Sequence, residues 1–237
     1  MNIKFFNYKI TESLPVIDFS KKIVVNTMNA HSFSCALKDK TFRTALEQSD
    51  FLTPDGVGVT LALKLFKNLN VKKFAGWDTH SFYLNQANEM SLKVFYMGAS
   101  EKTLSKIEKK INLKFPNIKI ETYSPPYKDV LSDDDNEIII ETINKFQPNI
   151  LFVGMTSVKQ EKWVFKNINQ ISCNVACSIG AVFDFFAENP KRAGKIWIYL
   201  HLEWLERFLK SPKRMFGRVF ISTPKFLFFL IKNRKKI

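Results

Sequence analysis

Three times in this chain a short β-branched and aromatic run ends in a glycine and passes directly into a helical pattern. Val94–Met97 leads into Gly98, Ile150–Val153 into Gly154, and Val175–Ile179 into Gly180. Strand, glycine turn and returning helix form the repeating unit of a doubly wound parallel sheet, whose ligands gather at the carboxyl ends of the strands. Ile23–Val25 and Ile118–Thr122 read as further strands, and Lys4–Ile10 as a small hairpin or edge strand. The spacing of apolar residues predicts helices over Ser32–Gln48, Val57–Phe66, Thr79–Met90, Glu101–Lys114, Asp134–Phe146 and Lys159–Ile168. The expected fold class is α/β, a Rossmann-like core with a mostly parallel sheet.

A chain of 237 residues can bury a sizeable core of this kind. With 46% hydrophobic residues it is too apolar for a disordered protein. Its three cysteines, Cys35, Cys173 and Cys177, are odd in number, and no spacing among them and the histidines completes a metal site. They fit a reduced, cytoplasmic compartment, with Cys173 and Cys177 packing around a buried strand. The segment Met1–Phe6 lacks the apolar core and cleavage site of a signal peptide.

The net charge of +14 is concentrated at one end. Thirteen Lys and Arg lie between Lys191 and Ile237, against only Glu203 and Glu206. This divides the chain into a nearly balanced core, 1–190, and a basic appendage, 191–237. Such an excess calls for an acidic partner: nucleic acid, anionic lipid or a phosphorylated substrate. Within the appendage, Trp197–Leu209 reads as an apolar and aromatic helix broken at Ser211-Pro212, and Arg214–Lys232 follows, rich in Phe. Its longest uninterrupted apolar run, Phe226–Ile231, is far short of the roughly 20 residues that span a bilayer. Bulky apolar residues interleaved with Lys and Arg suit a helix lying in the membrane interface. The alternative is a C-terminal helix docked on the core with a solvated basic end.

Several clusters carry candidate chemistry. In Thr53-Pro54-Asp55-Gly56-Val57-Gly58 the carboxylate of Asp55 sits at a strand-to-helix turn, either as a general base facing a ligand or as the cap of the next helix. Thr27 and Asn29 follow the strand Ile23–Val25, where side chains meet a ligand or simply bond their own turn. Gly154–Glu161 places backbone amides, two hydroxyls, a Lys and a Gln at a helix start, without the glycine spacing of a P-loop. Arg207 and Arg214 stand on either side of a helix break, where two guanidinium groups can close over a diphosphate. Asp133-Asp134-Asp135 has the look of a metal-binding acidic motif but reads better as the acidic start of a helix. No metal site is expected.

These clusters occur in an order that resembles the WecG/TagA/CpsF family of bacterial glycosyltransferases, from about Ile23 to Arg218. The likeness rests on Val25–Asn29, Thr53–Gly58, Ala75-Gly76-Trp77-Asp78, Pro148–Gly154, Lys159–Trp163, Gly180–Phe185, Lys191-Arg192-Ala193, Leu202–Arg207 and Pro212-Lys213-Arg214. It implies a Rossmann-like core with an appendage that closes the active site and helps bind the membrane. It also implies inverting, metal-independent transfer from a UDP-sugar to a polyprenyl-diphosphate-linked saccharide, with no cofactor. By that resemblance Asp55 is the general base, and Arg207 and Arg214 stabilise the departing diphosphate. Thr27, Asn29, Gly56, Asp78, Gln160, Glu161 and Arg192 bind substrate. The expected partners are the UDP-sugar, the lipid-linked acceptor and an anionic membrane, at the cytoplasmic face of the bacterial inner membrane, with a homo-oligomer left open. N-acetylmannosamine, its uronic acid and glucose are the donor sugars the family allows. Val158 and Gly194 stand where the family carries proline.

Two other function classes compete. A basic nucleic-acid-binding α/β protein would spread its cations over a face of the folded domain. A non-catalytic, membrane-docked subunit of a polysaccharide assembly complex would keep the fold but not depend on Asp55.

Overall fold

The protein, described here by a computed structural model over residues 2–188, 197, 203–210 and 212–234, is built on one eight-stranded sheet. At Glu203, Arg207, Lys210 and Arg214 the description covers the backbone alone. The strands are β1 (Asn2–Phe5), β2 (Tyr8–Thr11), β3 (Ile23–Met28), β4 (Phe51–Pro54), β5 (Lys93–Gly98), β6 (Lys119–Tyr123), β7 (Ile150–Gly154) and β8 (Val175–Ser178), in spatial order β1-β2-β4-β3-β8-β7-β5-β6. Only the β1–β2 hairpin is antiparallel; every other pairing is parallel. The carboxyl ends of β3, β4, β5, β7 and β8 therefore open on the same edge. The α/β expectation holds, and the opening segment forms the predicted hairpin.

The central strands are apolar on both faces because helices cover both. Ile150, Leu151, Phe152 and Val153 of β7 are wholly buried, as parallel strands under two helical layers must be. One face packs on α4 (Gly76–Glu89) and α5 (Glu101–Lys114) through Tyr83, Leu84, Leu104 and Ile107. The other packs on α6 (Asp133–Phe146) and α7 (Lys159–Asn167) through Ile139, Ile143, Trp163 and Val164. Glycines allow the tightest approaches: a Cβ on Gly154 would lie 2.4 Å from the Phe183 ring, and one on Gly98 2.6 Å from the Gly154 backbone.

The sequence predicted one helix over Ser32–Gln48. There are two, α1 (Ala30–Ala36) and α2 (Lys40–Glu47), because the Asp39 side chain accepts the Phe42 amide at 2.9 Å and starts a new helix. β4 was read only as the lead-in to a turn, yet it pairs with both β3 and β2. The acidic run Asp133-Asp134-Asp135 opens α6 as expected, with Ser132 as cap, and Asp135 pairs with Lys128 at 2.8 Å.

Past β8, α8 (Val182–Phe186) closes the core, and the described C-terminal residues form helices Glu203–Lys210 and Pro212–Phe216, a π-helical turn Gly217–Ser222, and a final helix Thr223–Lys232. The last helix docks beside the hairpin. Phe226 and Leu230 are buried in the cluster that holds Phe5, Ile10, Phe33 and Val59, and Phe226 meets Phe33 edge to face at 5.1 Å. Its other side leaves Leu227, Phe228 and Ile231 exposed. The helix is thus docked on the core and still apolar outward. Among the described residues no helix is long and apolar enough to cross a membrane.

Candidate active site

At the carboxyl edge of the sheet, the turns after β3, β4, β7 and β8 surround a cavity of about 490 Å³, roofed by the C-terminal segment. Its central pair is made by β3 and β4. Register places Thr27 beside Thr53 and Met28 beside Pro54, and the Asp55 amide donates to the Met28 carbonyl at 2.8 Å. Asn29 ends β3 and caps α1: its side-chain oxygen accepts the amides of His31 and Ser32 at 3.0 and 2.9 Å. With the oxygen committed to the helix, the amide nitrogen turns toward Asp55, 3.5 Å from its Oδ2. Helix capping, a local requirement, thus orients the group that faces the carboxylate.

Asp55 does not cap the next helix. The cap position of α3 (Val57–Lys67) is held by Gly56, at φ +85°, a conformation in which a side chain is strained. The Asp55 carboxylate is left half-buried in the cavity wall.

The opposite wall comes from β7 and β8. Gln160 and Glu161, both buried, open α7. Glu161 accepts the Val158 amide at 2.8 Å and the Gln160 side-chain amide at 3.0 Å. Burial raises its pKa, against those hydrogen bonds and the Arg218 charge. Held this way, Gln160 presents its carbonyl oxygen without a hydrogen-bond partner among the described residues, as does the hydroxyl of Ser178 at the end of β8. Buried polar atoms are rarely left unpaired, and both of these belong to residues that line the cavity. Val158 takes φ +80°, ψ −48°, a strained geometry that proline cannot adopt, so the loop here differs from one built on proline.

The roof is Trp204, Met215, Arg218, Val219 and Thr223. It is latched to α1: the Ser222 hydroxyl meets His31 Nδ1 at 2.8 Å, and the Ser222 carbonyl accepts from Ser34 Oγ at 2.8 Å. The π turn, closed by the Thr223 amide on the Arg218 carbonyl, is a form that concentrates at functional sites. Arg218 brings positive charge over the cavity. Burial and that charge together depress the His31 pKa to about 4.

Of the sequence candidates, Thr27, Asn29, Asp55, Gly56, Gln160 and Glu161 line this one cavity. Asp78 is not among its lining residues; its carboxylate caps α4 by accepting the Ala75 amide at 2.8 Å, behind the lining residues Gly76 and Trp77. Arg192 and the side chains of Arg207 and Arg214 lie outside the described residues. Sequence reasoning passed over Arg218, His31, Lys73 and Ser178, all in the lining. Only Arg218 had a signal, its four-residue spacing from Arg214, one helical turn. Among the described residues no group of three or more His, Cys, Asp or Glu is placed to hold a metal ion.

The whole chain, residues 1–237, matches the glycosyl transferase WecG/TagA/CpsF family. The chain belongs to that family, and it is a glycosyltransferase. It is similar to the N-acetylglucosaminyldiphosphoundecaprenol N-acetyl-beta-D-mannosaminyltransferase of Bacillus subtilis strain 168, at 30% identity, covering 99% of this chain and 91% of the relative. Proteins of the same name from Bacillus spizizenii W23 (29% identity; 92% and 82% covered) and Staphylococcus aureus MW2 (29%; 100% and 87%) are also similar.

Proposed function

We propose that this glycosyltransferase moves N-acetylmannosamine from a UDP donor onto an N-acetylglucosamine carried on a polyprenyl diphosphate, with inversion and without a metal. The observation that carries the reading is the Asp55 carboxylate beside the Asn29 amide, in the wall of a cavity that Arg218 also lines. The names of the relatives favour mannosamine over the other two sugars.

In this mechanism Asp55 accepts the proton of the acceptor hydroxyl as its oxygen bonds to the anomeric carbon. The bond from that carbon to the UDP oxygen breaks on the opposite face, so a single displacement inverts the centre. The diphosphate leaves with added negative charge, and Arg218, with Arg207 and Arg214 of the same segment, offsets it in place of a cation. Gln160 and Ser178 supply an acceptor and a hydroxyl for sugar polar groups, and Thr27 and Asn29 hold the hydroxyl near the base. The basic C-terminal segment, with Phe228 and Ile231 outward, seats the enzyme peripherally on the cytoplasmic face of the membrane, where the acceptor lipid is embedded.

The test is transfer from a panel of UDP-sugars to polyprenyl-diphosphate-linked N-acetylglucosamine in detergent with EDTA. The wild type should consume UDP-N-acetylmannosamine in the presence of chelator, and Asp55→Asn should be slower by about 10²–10⁴-fold. An Asp55→Asn enzyme at the wild-type rate would remove Asp55 as the base, and loss of activity to EDTA would remove the metal-free mechanism.

A further inference from the structure

Helix α3 is apolar on the side away from the core as well as the side toward it. Val59, Ala62 and Leu63 are buried. Val57, Leu61 and Leu65, each four residues apart and so on one stripe, are 39, 44 and 68% exposed. A helix packed on a soluble core carries polar residues on that face. The neighbouring C-terminal helix has the same character, with Leu227, Phe228 and Ile231 outward. The two helices abut, since a Cβ on Gly58 would lie 3.4 Å from the Phe226 ring.

We infer that the outward stripe of α3 is a second membrane-inserting element, docking beside the C-terminal helix on an anionic lipid surface. This rests on the peripheral membrane reading above but assigns the insertion to the core as well as to the basic segment. Charge selects lipid over protein as the occupant. Lys64 and Lys67 border the α3 stripe, Lys225, Lys232 and Arg234 border the other, and neither helix contains Asp or Glu. Lys38 lies against Lys225 and holds its ammonium below the ordinary lysine range, so cations crowd that rim. A second copy joined through the same patch would set these cations against their own images. An anionic bilayer offers apolar depth for Leu61 and Leu65 and phosphates for the lysines. Because α3 begins directly after Gly56, seating it at the interface brings the Asp55 turn to the depth of a lipid diphosphate.

The experiment is co-sedimentation of the full chain with vesicles of phosphatidylcholine alone or with phosphatidylglycerol, alongside sedimentation velocity without lipid. Leu61→Ser/Leu65→Ser should bind the anionic vesicles about ten-fold or more weakly than wild type. It should keep the wild-type oligomeric state and its rate on a short-chain, water-soluble acceptor. Lys64→Glu/Lys67→Glu should weaken binding to anionic vesicles and leave binding to neutral ones unchanged, giving a second reading that does not depend on removing apolar surface. If both α3 variants bind as wild type while Phe228→Ser/Ile231→Ser does not, the inference is wrong and the C-terminal membrane reading stands. If the wild type binds no vesicle, both are wrong. If the α3 variants alter self-association and not vesicle binding, the face is an interface between copies.

Discussion

Replacing Phe226 with alanine should release the roof of the cavity without unfolding the sheet. Phe226 is wholly buried, packs edge to face on Phe33, and sits so near α3 that a Cβ on Gly58 would meet its ring at 3.4 Å. Removing a buried Phe side chain costs about 3–5 kcal/mol. The final helix is otherwise held by Leu230, Phe229 and the two hydrogen bonds of Ser222, each bond contributing about 1 kcal/mol. The lost ring is therefore a large share of the docking energy, and the cost falls on this segment. At about 1.4 kcal/mol per power of ten, the undocked population should rise by roughly two to four powers of ten. Hydrogen exchange read by peptide should show that acceleration in 217–232, with β7 and β8 nearly as protected as in wild type. Transfer should fall in parallel, because Arg218 is carried by the same segment. Equal acceleration in β7 and β8 would refute local docking, and unchanged exchange in 217–232 would refute the anchor.

Further outcomes follow from other contacts. Gly154→Ala must push the Phe183 ring aside; overpacking of about 1–3 kcal/mol should lower Tm by roughly 2–12 °C in a scanning calorimeter. Trp163→Phe removes the indole N–H that donates to Asn136 Oδ1 at 2.8 Å, leaving a buried oxygen unpaired, and chemical denaturation should show a loss of about 1–3 kcal/mol. Stability should also fall in acid. His31 and His80 have pKa values depressed to about 4 and about 3, chiefly by burial, so between 6.5 and those values the unfolded chain binds protons that the folded chain does not. Their contribution is present above pH 6.5 and is lost as pH falls through that window, with Tm dropping and the drop shallower in His31→Asn.

The local signals in the sequence were sufficient for the scaffold. Runs such as Ile150–Val153 are apolar at every position, which only a strand covered on both faces tolerates, and the glycine after each run marks the turn toward the ligand edge. Ser132 and Asp135 likewise declare a helix start within four residues, and the structure uses them that way. The motif order also reached six residues of one cavity, because those residues sit at strand ends whose places the sheet topology dictates. What the sequence could not decide depends on contacts across long separations. Whether Asp55 capped α3 was settled by the backbone of Gly56 and by Asn29, 26 residues away. Ser178 is an ordinary strand residue until β8 inserts between β3 and β7 and turns its hydroxyl into the cavity wall. Arg218 was one cation among many in a basic segment. It reaches the site because Phe226 packs on Phe33 and Ser222 bonds His31, 191 residues earlier in the chain. Periodicity and capping are written in neighbouring residues, whereas a side chain's environment is made by whatever the fold brings against it.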